Sequence, residues 1–203
     1  MTIKPTFLIP LAIVLLLLLG WGGGAGQLLD TGAILHFTTW RAAHPDATWG
    51  IVQFTHLGGA FFLLALTAAV AAWLFWRGER WRAGGLLLTV GAGRLGIELL
   101  KWVVNRPRPS FDAHPVAVFS QSFPSGHAGN TMVTFLALAL FAVPERWRGR
   151  ALAIAAAMSV AIGATRPVLG VHWPSDVLGG WIYGAAIVSL MWRWWEGRAR
   201  SAA

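Results

Sequence analysis

The chain of 203 residues has no cysteine, one tyrosine and few charges. Without cysteine there is no disulfide, no thiolate nucleophile and no cysteine zinc site. Charged residues make up only 12% against 56% hydrophobic, and the mean hydropathy is +0.60. That balance excludes both disorder and an ordinary soluble domain. Lysine is nearly absent too: Lys4 and Lys101 stand among fourteen arginines, so lysine at position 101 asks for a reason. Acidic residues number 8 against 16 basic, a formal net charge of +8. Such an excess suits nucleic acid or membrane topology, and placement decides between them.

The long apolar runs decide for the membrane. A bilayer-spanning helix needs about 20 mainly apolar residues. Residues 7–24, 51–76, 83–104, 128–143, 151–165 and 177–192 each read as a span. The first has a signal-like basic start, but its apolar stretch is long and lacks a clean cleavage site, so it is read as a retained span. Six spans place residues 77–82, 145–150 and both termini on one side, with ten of the sixteen basic residues, which predicts that both termini are cytoplasmic. Eleven of the thirteen tryptophans fall near the proposed span ends, as an aromatic belt requires. The basic excess is therefore mostly topology, and no nucleic-acid partner is expected. Residues 25–50 alternate Leu28, Leu29, Ile34, Leu35 and Phe37 with Asp30, His36 and Arg41, which reads either as an amphipathic segment on the outer membrane surface or as a plain connecting loop. The expected organisation is all-α: one membrane domain, with a first span and outer segment over 1–50 and a six-helix bundle completed by a core over 51–195.

The chemistry gathers in two outer connections. One carries Lys101, Arg106 and Arg108, then a dozen residues with no evident signal, then Pro124, Ser125, Gly126 and His127. The other carries Thr165, Arg166, His172, Pro174 and Asp176. Lys101, Arg108 and Arg166 suit the equatorial oxygens of a phosphoryl group, the Arg fork especially. Ser125 sits where an N-cap would aim the amides of a helix start at an anion. Asp176, four residues after His172, can hold one imidazole nitrogen and leave the other nucleophilic, while His127 is free to protonate a leaving oxygen. Arg106 reads as a lipid anchor, and His36, His44, His56 and His114 as interfacial or structural groups. Arg94 and Glu98, four apart inside the third span, are expected to pair and support Lys101.

The ordered set Lys101-x6-Arg108-Pro109, Pro124-Ser125-Gly126-His127 and Thr165-Arg166-x5-His172-x3-Asp176 resembles the three motifs of the type 2 phosphatidic acid phosphatase superfamily. These are integral-membrane lipid phosphate phosphatases related to vanadium haloperoxidases. One departure is Thr165, where the family usually has Ser. The resemblance implies a helical core with its site at the outer face of a bacterial inner membrane. It implies His172 as nucleophile forming a phosphohistidine, His127 as general acid and Asp176 as orienter. Lys101, Arg108, Ser125, Gly126 and Arg166 would bind the phosphate, with no metal, no cofactor and no obligate protein partner. The implied substrates are undecaprenyl diphosphate, phosphatidylglycerophosphate or phosphatidic acid. A phosphotransferase using the same intermediate and a non-catalytic lipid-phosphate binder or transporter are the alternatives. The fifth and sixth spans hold only fifteen and sixteen residues between their flanking charges, so Arg166 and Asp176 should lie below the headgroup plane and favour a lipid that enters sideways.

Overall fold

The computed structural model describes residues 25–201, which are helical apart from connections. The expected first span lies outside the described residues. Seven helices follow in order: α1 Ala25–Ala43, α2 Pro45–Thr55, α3 Ala60–Trp76, α4 Arg80–Val104, α5 Gly126–Phe141, α6 Glu145–Val168 and α7 Pro174–Ser201.

Two of them, α4 and α6, are long and apolar enough to cross a membrane. The second expected span is not one straight rod. Its start belongs to α2, a short 3-10 turn follows over His56–Gly58, and α3 leaves at a 41° bend. The cause is local: Gly59 is extended (ψ 151°), so the ladder of helical hydrogen bonds stops there. The two basic clusters expected as turns instead begin helices. Arg80 and Arg82 open α4, and Arg146, Arg148 and Arg150 lie in the first turns of α6. Arginine is a good helix former, and its long stem lets a helical position reach a wet surface. At this end Arg80 lies over Phe75, Arg150 over Trp147 and Arg198 over Trp194, with 4.3–4.9 Å to the ring centres.

Helix α5 is central, packed against α3, α4, α6 and α7. Between apolar helices in lipid, close approach rather than water exclusion supplies the attraction, so small residues sit at the crossings. A Cβ on Gly180 of α7 would lie 2.8 Å from the Ser125 carbonyl oxygen and 2.9 Å from the Gly129 nitrogen. One turn on, a Cβ on Gly184 would lie 2.9 Å from the Gly129 oxygen. Backbone cannot yield as a side chain tip does, so even alanine at 180 forces α5 and α7 apart. That crossing joins the starts of the two helices, where the Ser125 amide donates to the Asp176 carbonyl at 2.9 Å.

The outer segment is helical rather than a plain connecting loop, and two of its charged residues, Asp30 and Arg41, point inward while His36 stays exposed. Asp30, Ile34 and Arg41 are buried on α1 while Leu28 and Leu29 are exposed. Arg41 donates to the Val168 carbonyl and pairs with Asp112. An apolar outward face suits lipid, and the inward polar groups find partners in the loops beneath.

Candidate active site

Four helix ends meet at one end of the bundle. Lys101 is in the last turn of α4, His127 in the first turn of α5, Arg166 near the end of α6 and Asp176 at the start of α7. His172 lies in the short α6–α7 connection, 2% exposed, and Asp176 is fully buried.

The imidazole of His172 is held between two opposite demands. Its Nδ1 lies 3.4 Å from Asp176 Oδ2 and 3.5 Å from the Ser122 hydroxyl. Its Nε2 lies 3.0 Å from Arg108 Nη1. Arginine only donates, so Nε2 must carry the lone pair and Nδ1 the proton. Burial, then the neighbouring Arg108, Arg166 and Lys101, depress the His172 pKa well below its ordinary value. The ring is therefore neutral near pH 7, with its free electron pair turned toward a guanidinium. The Nδ1 to carboxylate distance is longer than a full hydrogen bond, and such contacts commonly tighten only when substrate is bound.

The carboxylate is anchored more firmly than the ring. Asp176 Oδ2 accepts from the Ser122 hydroxyl and from the Trp173 amide at 2.9 Å, and Oδ1 accepts from Arg106 Nη1 at 2.7 Å. Arg106, 9% exposed, is thus no lipid anchor. It turns into the protein because two buried carboxylates, Asp176 and Asp30, flank it, the latter at 2.9 Å. Its sequence signal is the doubled Arg106-Pro107-Arg108-Pro109, of which only the second pair belongs to the motif.

The phosphate candidates divide into satisfied and unsatisfied groups. Lys101 Nζ donates to Ser120 Oγ at 2.7 Å and to the Gln121 carbonyl at 3.2 Å. Arg108 donates to the Ser120 and Val171 carbonyls at 2.7 and 2.6 Å, and burial lowers its pKa. Arg166 places Nη1 3.0 Å from Thr55 Oγ1, yet its buried Nε has no partner. The Ser125 hydroxyl is also buried and unpartnered. Two orphaned donors in one buried cluster of cations fit an absent anion. Gly126 lies beside the ammonium: a Cβ there would be 3.9 Å from Lys101 Nζ, an ordinary contact. The helix-start reading needs one correction. The Ser125 amide donates to the Asp176 carbonyl at 2.9 Å, so only the next amides of α5 remain for an anion.

Several groups that the sequence did not single out complete the site. Ser120, Gln121 and Ser122 come from the stretch with no evident signal; their one sign is a polar run directly before Phe123-Pro124-Ser125. Thr55 accepts from both Thr165, at 2.8 Å, and Arg166. The Thr165 hydroxyl thus serves packing between α2 and α6. A Cβ on Gly58 would lie 2.9 Å from the His127 ring, so that glycine makes room for the imidazole. Conversely, the expected Arg94–Glu98 pair is not a close ion pair, although Glu98 stays within Coulombic range of both Arg94 and Lys101. No ion pair within 4.0 Å joins them, Glu98 is exposed and Arg94 Nη1 is buried without a partner. Lys101 is held by the Ser120–Gln121 loop instead. His44 bonds the Trp40 carbonyl and His114 the Pro109 carbonyl, in structural roles.

Residues 82–200 match the PAP2 superfamily, which covers more than half of the chain and contains every motif residue above. The chain belongs to the PAP2 superfamily. It is similar to phosphatidylglycerophosphatase B of Bacillus subtilis, 36% identical over 142 residues that span 68% of this chain and 70% of the relative. It is also similar to an undecaprenyl-diphosphatase of Sulfolobus acidocaldarius, 34% identical over 95 residues and 44% of each chain. Its fold matches the crystal structure of a transmembrane PAP2 type phosphatidylglycerolphosphate phosphatase from Bacillus subtilis with a TM-score of 0.85, at 31% identity over 96% of both chains. The protein is thus a PAP2 lipid phosphatase homologue with the all-helical membrane fold of that family.

Proposed function

We propose that the protein hydrolyses lipid phosphates or diphosphates through a phosphohistidine on His172, at the extracytoplasmic face of a bacterial inner membrane. The observation that carries this reading is the buried His172 ring, with Asp176 behind Nδ1 and Nε2 directed at the phosphate-type cation Arg108. Substrate phosphate would draw the Arg108 N–H onto its own oxygen and release the Nε2 electron pair. Nε2 then attacks phosphorus, the bond to the lipid oxygen breaks, and His127 gives that oxygen a proton. Water reverses the exchange: neutral His127 takes a proton from it, the N–P bond breaks and inorganic phosphate leaves. Arg166, Lys101 and Arg108 lie within Coulombic range of His127, so its proton is best held alongside the negative charge of the substrate.

An apolar groove of about 440 Å³ supports a lipid substrate. It is lined by Leu57, Phe62, Leu66, Phe135, Ala139 and Ile154, between α3, α5 and α6. Leu57 adjoins Gly58, against which the His127 ring rests. Phe135 lies eight residues below His127, about 12 Å along α5. The groove runs on past Phe135 to Ala142, Val143 and Ala151, and an acyl or prenyl tail would lie along it. Phosphatidylglycerophosphate and undecaprenyl diphosphate are the candidate substrates, by analogy with the relatives.

The test is phosphate release from a panel of lipid phosphates in detergent with EDTA present. Release of inorganic phosphate with a single lipid and water supports the hydrolase. Because Lys101, Arg108 and Arg166 supply the positive charge, activity should survive chelation and fall with vanadate, a mimic of five-coordinate phosphorus. Abolition by EDTA with rescue by Mg²⁺ or Zn²⁺ refutes the metal-free mechanism, and phosphate appearing only on a second lipid favours the transferase. Six spans with both termini cytoplasmic put Gly78, at the bundle end opposite the site, inside the cell. A cysteine replacing Gly78 should resist an impermeant maleimide in intact cells, and its labelling would invert the topology.

A further inference from the structure

We propose that Asp30, carried on α1, is a positioning residue for the reaction, completing a buried relay from His172 through Asp176 and Arg106; the proposal rests on the role given to His172 above. The four side chains are linked one to the next and are each less than a tenth exposed. His172 Nδ1 faces Asp176 Oδ2 at 3.4 Å, Asp176 Oδ1 accepts from Arg106 Nη1 at 2.7 Å, and Arg106 Nη2 donates to Asp30 Oδ2 at 2.9 Å. Ser175, next to Asp176 in the first turn of α7, ties the two ends together. Its amide donates to Asp30 Oδ1 at 3.0 Å, its hydroxyl reaches Asp30 Oδ2, and Arg106 Nη1 donates to that hydroxyl at 2.7 Å. Asp30 lies outside residues 82–200, so a surface helix of the outer segment reaches into the catalytic core.

The charges give the relay its function. Asp176 alone carries −1; Arg106 alone beside it would cancel that charge, and Asp30 restores the sum to −1. When Nε2 of His172 takes the phosphoryl group while Nδ1 keeps its proton, the ring becomes cationic. A net negative triad stabilises that cation and a neutral dyad does not. Arg106 is needed as well, because it fixes the carboxylate that faces Nδ1 and separates two buried anions. The geometry therefore makes α1 part of the catalytic support.

The experiment measures kcat, KM and melting temperature of the full-length protein in detergent, with a lipid phosphate that the wild type hydrolyses. Asp30→Asn should lower kcat roughly tenfold to a hundredfold, the usual scale for groups that orient a reacting ligand from behind. KM should stay within about twofold, and Asp30→Glu should recover much of the loss. Arg106→Gln should be worse than Asp30→Asn, since it leaves two buried carboxylates facing one another. The deciding variant is the double one. Asp30→Asn with Arg106→Gln returns the cluster to the charge of Asp176 alone and should be more active than Arg106→Gln by itself. A merely structural tether would lower the melting temperature and make the losses additive. An unchanged kcat in Asp30→Asn, or a double variant as poor as the product of the single losses, overturns the relay. If the wild type releases no phosphate from any lipid, it is the reading of His172 that fails, and the two failures are distinct.

Discussion

Replacing His172 with alanine should abolish turnover of every substrate, a loss of roughly 10⁶-fold in kcat if nucleophile replacements in other covalent hydrolases are a guide. Among the described residues no other nucleophilic side chain faces Arg108 with a carboxylate behind it, so none of them offers a substitute attack. His127→Ala should behave differently. With lipid substrates it should lose about 10²–10⁴-fold, the usual contribution of general acid catalysis. With p-nitrophenyl phosphate, whose leaving oxygen needs no proton, part of the loss should disappear. Asp176→Asn should fall between, about 10²–10⁴-fold down, as when a triad carboxylate is replaced and the imidazole loses its preferred tautomer. Brief mixing with ³²P-labelled substrate and quenching should give an acid-labile, base-stable phosphoprotein in the wild type and none in His172→Ala. Label that survives in His172→Ala and vanishes in His127→Ala would reverse the two roles.

Motif spacing made the candidate cluster legible because each motif residue sits at a helix end or in the connection just beyond one, where spacing along the chain fixes position across the bundle. Lys101, His127, Arg166, His172 and Asp176 all reach the same end, as their places at span ends imply. What was not legible is what depends on contacts far apart in the chain. Arg106 is drawn inward by Asp30, 76 residues away, and that pairing has no periodic signature. Thr55 meets Arg166 across 111 residues, and Ser122 meets Asp176 across 54. A hydroxyl in a loop looks the same in sequence whether it is solvated or braces a carboxylate. The Arg94–Glu98 reading failed for a related reason. Spacing of four places two side chains on one face and within Coulombic range, but the exposed Glu98 makes no close ion pair and Arg94 Nη1 stays buried without a hydrogen bond. The break at Gly58–Gly59 was hidden because hydropathy averages over it, while the tight space beside His127 explains why position 58 has no side chain.

The outer segment shows the same limit from the other side. Its apolar–polar alternation allowed an amphipathic helix, yet amphipathicity alone does not say which face meets lipid. Here the charged Asp30 and Arg41 turn inward, because they have partners beneath: Ser175 and Arg106 for the first, Val168 and Asp112 for the second, while His36 stays exposed. A helix at a membrane surface that is bonded to both catalytic loops can transmit its own placement to them.

Arg166→Ala should yield a protein that folds and does not turn over. The side chain is 3% exposed, so the usual expectation for a buried cation is that removal unfolds the protein. Here the balance differs. Arg166 has one protein partner, Thr55 at 3.0 Å, and its Nε is buried with none, so the resting protein bears the desolvation of a charge it does not pair. On the proposed mechanism charge develops near this cation during the reaction, and the phosphoryl oxygens would become its partners. Losing it should lower kcat by about 10³-fold or more, the scale seen when an arginine that stabilises phosphoryl transfer is removed. The melting temperature should stay level or rise, and vanadate should no longer inhibit at concentrations that silence the wild type. Arg166→Lys should not rescue, because one ammonium cannot reach Thr55 and a phosphoryl oxygen together as the planar fork does. Thr55→Val separates support from contact: it leaves Arg166 charged but unanchored and should cost about tenfold in kcat. Arg166→Ala that keeps more than a tenth of wild-type activity, or that loses activity only in proportion to a fall in melting temperature, would remove Arg166 from the phosphate site and leave Lys101 and Arg108 to hold it.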